Sequence, residues 1–253
     1  MKVSLIDIER REDGIAILKL KRGEKRNALN IAMMNDIYNA YSTLHQSGCR
    51  VIILTAEGSV FCSGVDLHEI GDHNYLEASV ASLARMLTTI FSGQIVTIGA
   101  VQGDAFGGGG GLAAACDIVV AVKEAHFGFP ETRRGLVAAQ VATILVRQIG
   151  LRHVRELLLT GEAIDAQRAF EIGLVNRVVT REELMPEALN YARKVLLGSI
   201  KAVEMTKLLI TNLTQREFSE DLQQSIAIYR TVRESKEACS RIADFLTPKP
   251  KLL

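Results

Sequence analysis

Three short segments carry residue types that could do chemistry together. The first is Phe106-Gly107-Gly108-Gly109-Gly110-Gly111-Leu112, where five consecutive glycines separate the apolar run Ile95–Val101 from the alanine-rich stretch Ala113-Ala114-Ala115. Ordering glycine costs more backbone entropy than ordering any other residue. A run of it inside an apolar region therefore implies backbone with φ > 0, or a close approach that a Cβ would block. At a helix start such a turn also presents unpaired N–H groups and the positive end of the helix dipole, which favour a phosphate or a developing oxyanion. The second segment, Val60-Phe61-Cys62-Ser63-Gly64-Val65-Asp66-Leu67, is another glycine-bearing turn that follows an apolar strand and offers backbone N–H groups in the same way. The third is His126-Phe127-Gly128-Phe129-Pro130-Glu131. Pro130 biases Phe129 toward extended geometry and sets Glu131 where the chain can turn into a helix. A carboxylate among aromatic and apolar neighbours has a raised pKa, which suits acid/base work near neutrality. A glutamate at a helix N-terminus can equally serve the dipole, or pair with Arg133 or Arg134. Both readings fit the residues.

Several other chemistries fit less well. A phosphate loop needs a lysine to reach the phosphates, and none lies between Gly103 and Val122. A dinucleotide fingerprint drawn on Gly107 and Gly109 meets Leu112 at its third glycine position and lacks the acid that would hold a ribose. Flexible linkers mix glycine with serine or charge, unlike this run. A nucleophilic hydrolase is disfavoured because no GxSxG occurs and no motif sets a histidine beside Cys62 or Ser63; Cys62 reads as a small packed side chain.

The elements that must hold these segments follow from periodicity. Val3–Ile8 and Ile15–Leu20 flank Asp13-Gly14 and read as a hairpin. From Asn30, apolar residues at helical spacing predict a helix ending near Gly48. Val51–Thr55 then reads as a buried strand, Ala56–Gly64 as a loop, Ala78–Phe91 as a helix and Ile95–Val101 as a strand, ahead of the glycine turn with its helix. Ile118–Val122 is a further strand, Asp165 caps a short helix closed by Gly173, and Leu174–Val179 is the last strand. From Arg181 to Leu246 the pattern is helical almost throughout. Short strands alternating with helices predict an α/β fold. No convincing internal repeat shows. The expected organisation is a core over residues 1–197 and a helical segment over 198–253, which must bury its apolar stripes on the core or on another subunit.

Composition narrows the class further. A chain of 253 residues can bury a large core, and a formal charge of +1 gives no reason to expect nucleic acid or an anionic membrane as partner. No apolar run approaches a membrane span, and the N-terminus lacks a secretory h-region, which points to the cytoplasm. The four cysteines show no metal-ligand spacing, so no metal is expected.

Taken together and in order, Lys25-Arg26-Asn27-Ala28-Leu29, Phe61-Cys62-Ser63-Gly64-Val65-Asp66-Leu67, the glycine turn ending in Cys116-Asp117-Ile118, Phe127-Gly128-Phe129-Pro130-Glu131, and Leu159-Thr160-Gly161 with Ala169-Phe170-Glu171-Ile172-Gly173-Leu174-Val175 resemble the crotonase (enoyl-CoA hydratase/isomerase) family. The resemblance runs over nearly the whole chain. It implies a spiral of ββα units with a helical C-terminal segment, and a homotrimer or dimer of trimers that binds an acyl-CoA. Coenzyme A would enter as part of the substrate, with no separate cofactor. By the same resemblance the N–H groups of Val65 and Gly108 form an oxyanion hole for a thioester enolate, and Glu131 is the acid/base. Ala28 and the Val65-Asp66-Leu67-His68 backbone line the coenzyme A site, Lys25 and Arg26 approach its phosphates, and Phe245 and Lys249, in a tail like the family's, complete a neighbouring subunit's nucleotide pocket. Plain solvated charge remains an equal reading of Lys25, Arg26 and Lys249.

Two departures from the family pattern stand out. Its hydratases carry a second glutamate where this chain has Gly111, so a single carboxylate is left, and a proton shuttle that moves a double bond becomes the simplest chemistry. Hydration would need a substitute for the missing group, either a carboxylate of the substrate itself or a residue such as Asp104, His68, Glu69 or Asp72. The segment after Glu131, Gly135-Leu136-Val137-Ala138-Ala139-Gln140-Val141-Ala142-Thr143, lacks the proline- and glycine-rich turn frequent in the family, which implies a reshaped acyl pocket. A family member that has lost efficient catalysis and serves as a coenzyme A-binding or assembly subunit is the alternative.

Overall fold

The computed structural model describes residues 4–214, 218–234 and 236–247. The chain opens with β1 (Ile6–Arg10) and β2 (Ile15–Leu20), joined at Asp13-Gly14, where Gly14 takes φ +83° and Asp13 Oδ1 accepts the Ile15 N–H at 3.3 Å. Helix α1 (Ile31–Gln46) starts where Asn30 accepts the Met33 N–H at 2.9 Å. Then come β3 (Val51–Ala56), β4 (Val60–Cys62), α2 (Leu67–Gly71), α3 (His73–Ser92), β5 (Val96–Val101), β6 (Asp104–Phe106), α4 (Gly108–Ala114), β7 (Ile118–Val122), β8 (His126–Gly128) and α5 (Ala139–Gln148). After α6 (Leu151–Thr160), β9 (Ala163–Asp165), α7 (Ala166–Glu171) and β10 (Arg177–Val179), four helices end the described chain: α8 (Arg181–Leu196), α9 (Ile200–Thr214), α10 (Phe218–Arg233) and α11 (Lys236–Leu246).

Two sheets organise these elements. One runs β1-β2-β3-β5-β7-β10 and is parallel except for the β1/β2 hairpin; the other runs β4-β6-β8-β9 and is parallel except for β8/β9. Three times in succession a first strand joins the larger sheet, the next joins the smaller one, and a helix follows. That is the repeated ββα unit, wound as a spiral. The β3 and β5 residues are buried on both faces, which is why these strands read as continuous apolar runs instead of alternating ones.

The repeat escapes sequence comparison because its second strands, β4, β6 and β8, are only 3 residues long. The same brevity corrects the expected loop at Ala56–Gly64, which contains β4. Helix α3 starts at His73 instead of Ala78 because Asp72 caps it, accepting the Asn74 N–H at 2.9 Å. The first strand extends past the expected Ile8 to Arg10, Val3 lying outside the described residues, and the last begins at Arg177 instead of Leu174. Asp165 caps α7 as expected, accepting the Arg168 N–H at 2.7 Å, and Gly173 takes φ +83° beyond its end.

The C-terminal helices are fastened to the strand-bearing part by buried cations. Lys207 on α9 is 7% exposed and donates to the carbonyls of Ile90 (3.1 Å) and Ile95 (2.8 Å) and to Asp117 Oδ2 (2.7 Å). Arg233 on α10, 2% exposed, donates to Ile70 O at 2.6 Å and so ties α10 to α2. Lys207→Met leaves the Asp117 carboxylate without its partner and should lower the unfolding free energy by about 2–3 kcal/mol, the partial exposure of Asp117 keeping the loss moderate. Adding Asp117→Asn should restore most of it, as read from urea unfolding midpoints.

Candidate active site

Two backbone turns meet at the mouth of a cavity of about 330 Å³. In the first, Leu29 N–H donates to Gly64 O (2.8 Å) and Asp66 N–H donates to Leu29 O (2.9 Å), forming a parallel bridge between Leu29 and Val65. In this pattern Val65 uses neither its own N–H nor its own carbonyl, so its N–H points away from Leu29. In the second turn Gly107 takes φ +52° and donates to Gly128 O at 2.8 Å, and Gly108 opens α4. A Cβ at Gly108 would lie 3.0 Å from Val65 Cγ2 and 3.4 Å from Val65 N. One at Gly64, itself at φ +103°, would lie 3.4 Å from Gly108 N. The two amides are therefore close neighbours, and neither donates to another of the described residues.

The glycine run differs from the expected turn. Left-handed backbone is confined to Gly107; Gly108 to Gly111 are the first residues of α4. What excludes a side chain there is contact. A Cβ would stand 2.2 Å from Cys62 O at Gly109, 2.7 Å from the Phe129 ring at Gly110, and 2.5 Å from Val141 Cγ2 at Gly111. The place from which a second carboxylate would project is thus filled by an α5 valine.

Glu131 lies against the same turn, with Oε1 at 2.9 Å from the position a Gly107 Cβ would take. Its Oε2 is buried and has no hydrogen-bond partner among the described residues. Burial pushes the carboxyl up to about 7, against the smaller opposing effects of a backbone N–H and the Arg134 charge. Arg133 faces elsewhere, donating to Thr160 O at 2.8 Å and standing 3.5 Å from Glu162. Arg134 lines the cavity.

The other expected residues divide. Lys25, Arg26, Ala28, Leu67 and His68 line the cavity. So does Asp66, but its carboxylate is occupied, holding Arg22 at 2.6 Å and accepting the His68 N–H at 3.0 Å, so it contributes backbone only. Phe245 falls on α11, and Lys249 lies outside the described residues. Of the substitutes for a second acid, His68 alone reaches the cavity. Asp104 binds His126, Glu69 accepts the Ile31 N–H at 2.7 Å, and Asp72 caps α3. Cys62 is buried, and desolvation pushes its thiol up to about 12, which leaves it a packed side chain. Leu136, Gln140 and Val141, from the segment expected to reshape the acyl pocket, line the cavity, and so do two residues that no motif marked, Ser79 from α3 and Tyr229 from α10. Their helical spacing marks buried faces, but nothing local says which element those faces meet.

A family model described as enoyl-CoA hydratase/isomerase matches residues 10–246. The chain belongs to the enoyl-CoA hydratase/isomerase family. It is 33% identical over 244 residues to a Thermus thermophilus protein that bears an enoyl-CoA hydratase name, covering 93% of this chain and 96% of that one. It is also 36% identical over 198 residues to the mevalonyl-coenzyme A hydratase of Aspergillus fumigatus, covering 76% and 73% of the two chains. An enoyl-CoA hydratase/isomerase structure from Mycobacterium paratuberculosis superposes with a TM-score of 0.88 at 26% identity, over 96% of this chain and 98% of that one. The enoyl-CoA hydratase/isomerase fold is thereby shown, with its parallel sheets and helical C-terminal segment.

Burial of Glu131 has a measurable sign. Its folded pKa lies above the ordinary 4.5, so the carboxyl's contribution to stability is intact at low pH and is lost as pH rises through about 7. Glu131→Gln should therefore raise the melting temperature by roughly several degrees at about pH 9 and change it little at about pH 4, in a pH series of thermal scans.

Proposed function

We propose that this family member binds an acyl-CoA thioester with its carbonyl oxygen between the N–H groups of Val65 and Gly108, and that Glu131 moves a proton at the carbon beside that carbonyl. The observation that carries this reading is Glu131 itself, a buried carboxylate beside Gly107 with one oxygen unpartnered among the described residues, next to two amides that donate to none of them. As Glu131 takes the proton from carbon, the C–H electron pair becomes the C=C of an enolate and the carbonyl electrons move onto oxygen. Fixed donors of this kind are each worth about 2.7–4 kcal/mol in the transition state. Returning the same proton to the far end of the conjugated system shifts a double bond and regenerates the carboxylate. The reaction needs no second acid, in keeping with Val141 standing against Gly111. Lys25 and Arg26 at the rim support phosphate binding by the coenzyme A portion, with coenzyme A entering as part of the substrate. Exposed Met205, Leu208, Leu209 and Ile210 on α9 support the trimeric or hexameric assembly that the resemblance implies.

The deciding experiment incubates the protein with matched 2-enoyl- and 3-enoyl-CoAs in heavy-oxygen water. A shifted double bond without label is the expected result, and label in the product would replace isomerisation with hydration. Glu131→Gln should cut kcat/KM by at least about 100-fold, and Gly108→Val should abolish turnover with the circular dichroism spectrum unchanged. The wild-type kcat/KM should fall as pH drops below about 7, where Glu131 becomes protonated. Full turnover by Glu131→Gln would remove Glu131 from the chemistry, and wild-type protein that binds the coenzyme A esters but turns none of them over would instead point to a coenzyme A-binding or assembly subunit.

A further inference from the structure

One wall of the cavity is made by α3, α5 and α10 and not by the glycine turns. Val80, Leu83 and Val141 give it an apolar surface, as an acyl chain requires, but Ser79 and Tyr229 interrupt that surface with two hydroxyls. Ser79 is 2% exposed and its Oγ has no hydrogen-bond partner among the described residues. It lacks even the bond to the carbonyl one turn back that Thr43, Thr89 and Thr160 make at 2.9, 2.8 and 2.7 Å. Tyr229 is half-buried and its hydroxyl is likewise unpartnered among the described residues. The wall is held in place from several sides. Gln140 Nε2 donates to Val80 O at 2.9 Å, Arg230 pairs with Glu77, and Arg233 anchors α10 on Ile70.

A hydrocarbon chain entering this space would strip water from both hydroxyls and give nothing back, and leaving a buried donor unpaired is costly. A site with unpaired hydroxyls discriminates strongly for a ligand that bonds to them, whereas a purely apolar pocket discriminates weakly. We propose that this wall selects acyl-CoAs whose acyl group carries an uncharged oxygen, a hydroxyl or carbonyl remote from the reacting carbons, held by hydrogen bonds donated from Ser79 and Tyr229. The proposal rests on the reading of the cavity as an acyl-CoA site. Burial raises the Tyr229 phenol, and the Arg233 charge acts on it more strongly than the opposing Glu131 charge. An uncharged oxygen is favoured over a carboxylate because Arg233 is engaged by Ile70 O and Arg230 by Glu77, so a carboxylate at the two hydroxyls would lose its hydration without gaining a counter-ion from α10.

Calorimetric titration with three saturated ligands tests this without turnover: butyryl-CoA, 4-hydroxybutyryl-CoA and succinyl-CoA, which end in a methyl, a hydroxyl and a carboxylate. The hydroxylated ligand should bind about tenfold more tightly than butyryl-CoA. The ratio should fall below about twofold in the Ser79→Ala/Tyr229→Phe double variant and to an intermediate value in each single one. Equal binding of all three, tightest binding of succinyl-CoA, or a preference that survives the double variant would overturn the proposal. Binding of none of the three would defeat the acyl-CoA reading and the proposal together. A wrong assignment of Glu131 alone would leave these titrations as expected and appear only in the turnover of Glu131→Gln.

Discussion

Everything at the candidate site depends on how closely two pieces of main chain approach one another. The bend at Gly64 and the start of α4 at Gly108 come so near that a single methyl on either would press on the other's amide or its neighbour. Such proximity cannot be produced by side chains. It arises because β4 and β6 lie side by side in the smaller sheet, each ending just before one of the bends, so that sheet pairing sets the separation of the two amides. The outer ββα architecture thus acts as a caliper, and the glycines allow it to close. Because peptide dipoles held by a sheet do not reorient when charge develops, this arrangement suits an enolate better than solvent would.

The second contribution comes from the C-terminal helices. Tyr229 of α10 and Leu246 of α11 help to enclose the cavity that holds Glu131, and α10 is kept in place by Arg233 reaching the carbonyl of Ile70 at the end of the short helix that follows Val65. The same covering that shuts out water keeps the Glu131 carboxyl near neutrality. Electrostatic tuning and enclosure are two results of one packing arrangement.

Much of this was legible in the residues, and what was not has a physical reason. Segments whose burial is two-sided and long, such as β3, β5 and β7, announce themselves as apolar runs, and Asn30 and Asp165 mark their helices by capping. The proline and two phenylalanines before Glu131 gave burial with a raised pKa as one of two readings, beside service to a helix dipole or an arginine, and burial is what the structure shows. Short strands like β4 and β6 carry too few residues to show a period. The glycine run looked like a turn because glycine penalises helices; its helical state is decided by Cys62, Phe129 and Val141, which are remote in sequence. Ser79 and Tyr229 have no local signature, since their meaning depends on which helices meet. Lys207 reads as one more solvated charge until Asp117 and two carbonyls close around it.

Val141 also limits what position 111 can accept. Its methyl group occupies the volume into which any side chain at position 111 must grow. A carboxylate introduced at that position would require Val141 to move aside or to be replaced by a smaller residue. The two positions are therefore interlocked: bulk gained at one has to be given up at the other, so substitutions at 111 and 141 will not add independently.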